Sequence, residues 1–206
     1  MTFGNLVKLY LEDCETRLKP TTLINKTNII NYRIAPYFND IPISDITPAM
    51  VRKWQNEIIN SGLAPTTQRY INCILSAILT FAVKYYSLPF NPVSRVGSIG
   101  KLKAENINFW TLEEYKQFIG YVDKPMYKMM FELFFFTGLR CGELLALTYN
   151  DIDTENGILS VNKSLATVNG KTIIQTPKTA KSKRKIALPP FIIKHLQEYV
   201  KHLYGY

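Results

Sequence analysis

The sequence predicts a mainly α-helical chain with a small β-sheet, built as a four-helix domain followed by an α+β domain. Three observations carry that prediction. Apolar residues recur at helical spacing throughout residues 1–92. A stretch rich in Pro, Gly, Ser and Lys then breaks the pattern, and beyond Gly157 short β-branched runs replace it.

The elements follow in order. In "TFGNLVKLYLEDCETRL", Phe3, Leu6, Val7, Tyr10 and Leu11 share one helical face. Pro20 ends that helix, and Thr21 or Thr22 is the expected cap of the next. That helix, "TTLINKTNIINYRIAPYF", turns Leu23, Ile29, Ile30 and Ile34 inward and leaves Asn25, Lys26 and Arg33 for solvent or a partner. Thr47 followed by Pro48 reads as a cap with proline at the first helical position, opening a third helix on Met50, Val51, Trp54 and Ile58 that Gly62 stops. A long fourth helix, "APTTQRYINCILSAILTFAVKYYSL", completes the first domain.

"NPVSRVGSIGKLKAEN" reads as a basic linker, giving domains of 1–92 and 107–206 joined through 93–106. Its "GSIGK" is not a phosphate loop, because Arg95 stands where the required first glycine would be. In the second domain Thr111 and Glu114 predict a capping box, and "MYKMMFELFFF" predicts a buried helix ending at Thr137-Gly138. "RCGELLAL" begins another helix. "ILSVNKS", "TIIQTP" and "KRKIALP" read as strands, with Asn169-Gly170 as a turn, and Pro189-Pro190 opens a last helix.

The formal net charge is +9, which points to a polyanionic partner with nucleic acid first. Lys171 to Lys185 alone holds six basic residues and no acid. Three separated cysteines argue against a disulfide framework or zinc knuckle, and His195 and His202 lack a carboxylate set beside them, so neither metal nor cofactor is expected. No leader-like or membrane-spanning run is seen, so a reduced, cytoplasmic setting is the expectation.

Within the apolar stretch "FFFTGLRCGELLAL" two charges stand out, Arg140 and Glu143, three residues apart on one helical face. Two readings are open: a half-buried ion pair, or a guanidinium fixed by its carboxylate to grip an oxyanion such as phosphate. "TGLRCGELLALTYNDID" closely resembles box I of the tyrosine recombinases, the phage-integrase family, whose pattern is T-G-x-R-x-G-E-L-x-x-L-x-W-x-D-I-D. Tyr149 stands where tryptophan is common. "TPKTAKSKRKIALP" resembles the family's hairpin bearing its catalytic lysine, which by that pattern is Lys178, with Lys181 and Lys183 close by.

The resemblance implies a SAM-like core-binding domain followed by the opening part of a truncated catalytic domain. It implies attack by a tyrosine hydroxyl on a DNA phosphodiester, giving a 3′-phosphotyrosyl link, with Arg140 stabilising the charge on the phosphate and Lys178 protonating the leaving oxygen. Glu143 supports Arg140. The expected partner is double-stranded DNA, clamped between the two domains, with contacts from Lys26, Arg33, Thr66, Gln68, Arg69, Arg95, Lys101, Lys103, Lys181, Lys183, Arg184 and Lys185. The family's H-x-x-R and nucleophilic tyrosine are missing, so the chain is expected to be inactive alone. It then reads as a piece of an integrase whose parent forms a tetrameric synapse while this piece stays monomeric. The alternative is a non-catalytic DNA-binding or regulatory protein on a degenerate integrase scaffold.

Overall fold

Helix capping sets the start of the chain. The Thr2 side chain accepts the Asn5 N–H at 3.4 Å, and α1 runs over Phe3–Glu15. The next helix begins at Pro20 itself, with Lys19 at the N-cap in place of Thr21 or Thr22, because proline is pre-shaped for the first helical position. It comprises α2 (Pro20–Ile29), a π-helical stretch (Ile30–Ile34) and α3 (Ala35–Phe38). Pro36 cannot donate a backbone hydrogen bond, and the ladder before it widens, Ala35 N–H reaching Ile30 C=O. The Trp54 indole N–H donates to the Arg33 carbonyl at 2.9 Å, pinning this widened turn to α4 (Pro48–Asn60). Thr47 caps α4 as the sequence predicts, accepting the Met50 N–H.

The computed structural model describes residues 1–104, 108–168, 170–175 and 182–204. It divides into two units, Met1–Ile107 and Asn108–Tyr206. The long α5 (Pro65–Tyr85) completes the first, whose core holds Phe3, Leu6, Ile30, Ile34, Phe38, Val51, Trp54, Leu75 and Ile78, each at most 1% exposed. Burying each such side chain contributes about 1.5–3 kcal/mol before chain entropy is counted. This is the four-helix unit the periodicity predicts.

The segment read as a linker is partly folded. Pro92–Val96 forms α6, capped by Asn91, and Val93 and Ile99 join the first core. The reason is a set of polar and apolar anchors: Gln55 donates to the Gly97 carbonyl at 2.8 Å, Arg52 to the Val96 carbonyl at 2.9 Å, and Lys101 N–H to the Pro65 carbonyl at 3.1 Å. A Pro/Gly-rich composition signals irregular backbone, but it does not signal detachment.

In the second unit, α7 (Leu112–Ile119) carries the predicted capping box, with Thr111 and Glu114 exchanging hydrogen bonds. α8 (Pro125–Thr137) ends at Gly138, whose φ of +62° is left-handed. α9 (Cys141–Leu145) follows at once. Strands β1 (Ile152–Asp153), β2 (Ile158–Val161) and β5 (Arg184–Ala187) form an antiparallel sheet in the order β1-β2-β5. β3 (Ser164–Val168) and β4 (Lys171–Gln175) form a separate hairpin, Val168 opposite Lys171. Asn169, the first residue of the predicted turn, lies outside the described residues. The run read as one strand, "ILSVNKS", is split at Asn162-Lys163, because Lys163 turns to meet Asp151. α10 (Pro190–Tyr204) packs on α8 through Ile192 and Leu196, closing a core with Leu133, Leu139, Leu159 and Leu188.

Candidate active site

Gly138 lets the chain reverse at the end of α8 and delivers Arg140 to the N-cap of α9. Glu143, one turn into α9, is 3% exposed. Its Oε2 accepts the Arg140 backbone N–H at 3.0 Å and its Oε1 accepts Arg140 Nη1 at 2.8 Å. The Arg140 side chain is nevertheless 71% exposed. The carboxylate is therefore the buried member and the guanidinium the one presented to solvent.

A second guanidinium shares that carboxylate. Arg184, on β5, donates Nη2 to Oε2 at 3.0 Å and Nη1 to Oε1 at 3.2 Å. Burial pushes the Glu143 carboxyl up, but hydrogen bonds from Arg184 and from the amide and guanidinium of Arg140 hold it down at about 2. Two permanent cations on one carboxylate leave a net charge of +1, and the more exposed cation is Arg140. An isolated ion pair would have been neutral.

The backbone of α9 is locked against the hairpin. A Cβ on Gly142 would lie 2.5 Å from the Leu165 carbonyl oxygen and 2.6 Å from Ser164 Oγ, so only glycine allows this approach. Behind α9, Asp151 is 7% exposed, accepts the Thr148 hydroxyl and amide, and pairs with Lys163 Nζ at 2.7 Å. Burial raises its carboxyl, while bonds from Lys163 and Thr148 bring it to about 2. Glu132 on α8, 7% exposed, meets His195 Nδ1 on α10 at 2.9 Å. That histidine is thus engaged between two helices. Tyr149, at the position where the family pattern favours tryptophan, is exposed.

Lys178 and Lys181 lie outside the described residues. Lys183 is exposed and Arg184 half-buried on Glu143. In the first unit Arg33 is exposed on the π-helical stretch, and Thr66 is half-buried in the first turn of α5. Arg69 donates to Ser98 Oγ at 3.3 Å; Arg95 stacks over Phe90, 4.0 Å from the ring centre. Lys101 and Lys103 are exposed. Two candidates are used internally. Lys26 donates to the Tyr10 hydroxyl at 2.7 Å, and Gln68, 8% exposed, donates to the Leu63 carbonyl at 2.8 Å and the Ile59 carbonyl at 3.4 Å. A helical face assigned by spacing cannot reveal such partners, which come from other helices or the turn before.

Sequence reasoning missed Arg52, whose guanidinium flanks the same 96–98 segment as Arg69, and it gave Arg184 no structural partner. It also passed over the Asp151–Lys163 pair, although Asp151 opens the D-I-D of box I and could have been questioned as a buried acid.

Residues 2–59 match the description "Phage integrase, N-terminal SAM-like domain", and residues 95–205 match "Phage integrase family". The chain is 33% identical over 201 residues to the ICEBs1 integrase of Bacillus subtilis, covering 97% of this chain and 54% of that one. It is 31% identical over 174 residues to the integrase of Mycobacterium phage D29, covering 82% of this chain and 44% of the relative. The chain thus spans about half the length of these relatives. Its fold resembles the Tn1549 transposon integrase in complex with transposon right end DNA, with a TM-score of 0.82, 23% identity, and coverage of 100% of this chain and 66% of the other. It also resembles a lambda integrase dimer bound to a COC′ core site, with a TM-score of 0.76, 23% identity, and coverage of 100% and 69%. With a helical SAM-like unit, a box I arginine seated on its glutamate, and family matches over both units, the chain belongs to the phage-integrase family of tyrosine recombinases.

Proposed function

We propose that this chain binds duplex DNA and supplies the phosphate-gripping arginine of a site-specific strand-exchange reaction. The observation that supports it best is the exposed Arg140 guanidinium held by a buried carboxylate that a second arginine already satisfies. In the reaction that family membership suggests, a tyrosine hydroxyl attacks a DNA phosphodiester and charge builds on the non-bridging oxygens. A fixed, permanently charged donor stabilises that charge, and one such donor is worth about 3–4 kcal/mol in the transition state. Lys178 is assigned the role of general acid to the leaving 5′-oxygen, from its place in the family pattern. The covalent link conserves the phosphodiester bond energy, so the scheme calls for no nucleotide cofactor.

DNA affinity is assigned to phosphate contacts from Arg33, Thr66, Arg69, Arg95, Lys101, Lys103 and Lys183, with Arg52 added. The similarity to integrases solved with DNA supports this reading. The chain carries no H-x-x-R after Arg184, and its only later tyrosines are Tyr199, Tyr204 and Tyr206. We therefore assign it DNA binding without strand cleavage when alone, as a monomer in solution.

The test is a gel shift on duplex DNA across a salt series, paired with a suicide substrate. Binding is expected to fall steeply as salt rises, because each neutralised phosphate releases a counterion. Arg140→Ala is expected to weaken binding on the order of fivefold, the effect of losing one charge-assisted contact. Affinity indifferent to ionic strength would overturn the DNA reading, and a covalent adduct on the suicide substrate would overturn the assignment of the chain as non-cleaving.

A further inference from the structure

We propose that Arg184 is a positioning residue for phosphate capture: by donating to both oxygens of Glu143 it leaves Arg140 with free donors and an unneutralised charge. This rests on the reading of Arg140 as the phosphate-gripping group and adds a part that box I does not contain.

A carboxylate has about four acceptor sites. Glu143 fills four: the Arg140 amide at 3.0 Å, Arg140 Nη1 at 2.8 Å, and Arg184 Nη1 and Nη2 at 3.2 and 3.0 Å. Arg184 supplies half of these. Among the described residues, Nε and Nη2 of Arg140 have no hydrogen-bond partner. Remove Arg184, and a carboxylate that is 3% exposed loses two charge-assisted bonds. The remaining cation close to it is Arg140, 71% exposed and able to swing inward. The pair becomes neutral, and the donors meant for phosphate turn to Glu143.

Arg184 also joins parts of the chain distant in sequence. It lies on β5, paired with Val161 of β2, and reaches back 41 positions to α9. The strand that follows the basic segment is thereby tied to the arginine helix. Part of the Arg184 guanidinium's donor capacity faces Glu143, and its side chain is 30% exposed against 71% for Arg140, so a primary role as a DNA contact is disfavoured.

The experiment measures binding of a labelled duplex to the full 206-residue chain by fluorescence anisotropy, at fixed salt, from pH 5 to pH 8. The proteins are the wild type, Arg140→Ala, Arg184→Met, Arg184→Lys, Glu143→Gln, and each Arg184 variant combined with Glu143→Gln. Arg184→Met is expected to weaken binding on the order of fivefold at pH 8. Relative to the wild type, the loss should shrink as pH falls, because burial without Arg184 lifts the Glu143 carboxyl and its protonation frees Arg140. Arg184→Lys should recover most of the loss. In the Glu143→Gln background Arg184→Met should cost nothing further, since there is no charge left to satisfy.

A loss that is constant across pH and adds in full to Glu143→Gln would overturn the proposal and make Arg184 a direct DNA contact. A further pair, Arg184→Gln with and without Glu143→Gln, settles the case in which the methionine variant does not fold: coupling to Glu143 supports the role, and full additivity overturns it. Arg140→Ala separates the two layers. If it binds as tightly as the wild type, the phosphate reading itself fails; if it is weakened while Arg184→Met is not, only the positioning role fails.

Discussion

Gly142 shows at the residue scale how little freedom the site has. The space a side chain would need is taken by the Leu165 backbone carbonyl of β3, at 2.5 Å, together with Ser164 Oγ, at 2.6 Å. Gly142→Ala must therefore displace either α9 or the hairpin. We expect a loss of about 1–3 kcal/mol in stability, read as a lowered midpoint in urea unfolding followed by far-UV circular dichroism. Arg140, Glu143 and the two glycines around them were all legible in the sequence, because their spacing is local and the T-G-x-R-x-G-E-L pattern is dense. Arg184 was legible only as a basic residue. Its partner lies 41 positions away across a helix start and a strand, and no local periodicity encodes such a meeting. The same limit hid the Tyr10 partner of Lys26 and the internal use of Gln68.

Capping and stripe spacing set most of the helices at the element scale: Thr47-Pro48 and Thr111/Glu114 behave as their chemistry dictates. The exceptions are instructive. α6 and the residues to Ile99 read as linker in the sequence, since five of residues 92–100 are Pro, Gly or Ser. Yet Val93 is 2% and Ile99 6% exposed, and Gln55, itself fully buried, reaches both Asn72 and Gly97. Two apolar anchors in a polar stretch were too few for a periodicity test, but they suffice once α4 and α5 supply a groove. Ile99→Ala is accordingly expected to destabilise the first unit by about 2–4 kcal/mol. Trp54 fluorescence during urea unfolding, in a Trp110→Phe background, would check this. A free linker would show no change. For the hairpin of β3 and β4 the sequence predicts the second strand and a turn at Asn169-Gly170, but it merges the first strand with β2.

On the scale of the whole molecule, the two-part organisation and the +9 charge could be read from composition, and the family from one dense motif. The acid-base balance of the second unit could not. Glu143 and Asp151 both titrate at about 2 in the folded chain, below their ordinary 4.5 and 3.8. The unfolded chain thus binds more protons than the folded one between those limits. The stability these two groups contribute is complete above about pH 5 and drains away as pH falls toward 2. Thermal melts from pH 6 to pH 2 should show that decline, and Glu143→Gln, already weakened, should show a shallower one. Equal slopes for the two proteins would mean that Glu143 is not held as the geometry indicates.

The contact between Gly142 and the backbone of β3 also governs how this architecture can change in length. Because Ser164 and Leu165 abut the arginine helix at the base of the hairpin, the Val168–Lys171 pair stands farther along the ribbon from that joint. Paired insertions at the tip would extend the ribbon and leave Arg140 where it is. A single residue added at the base would slide a different side chain into the glycine notch and lever the arginine off its seat. Variation among relatives of this chain should therefore accumulate at the tip, and grafts or tags placed there should be tolerated.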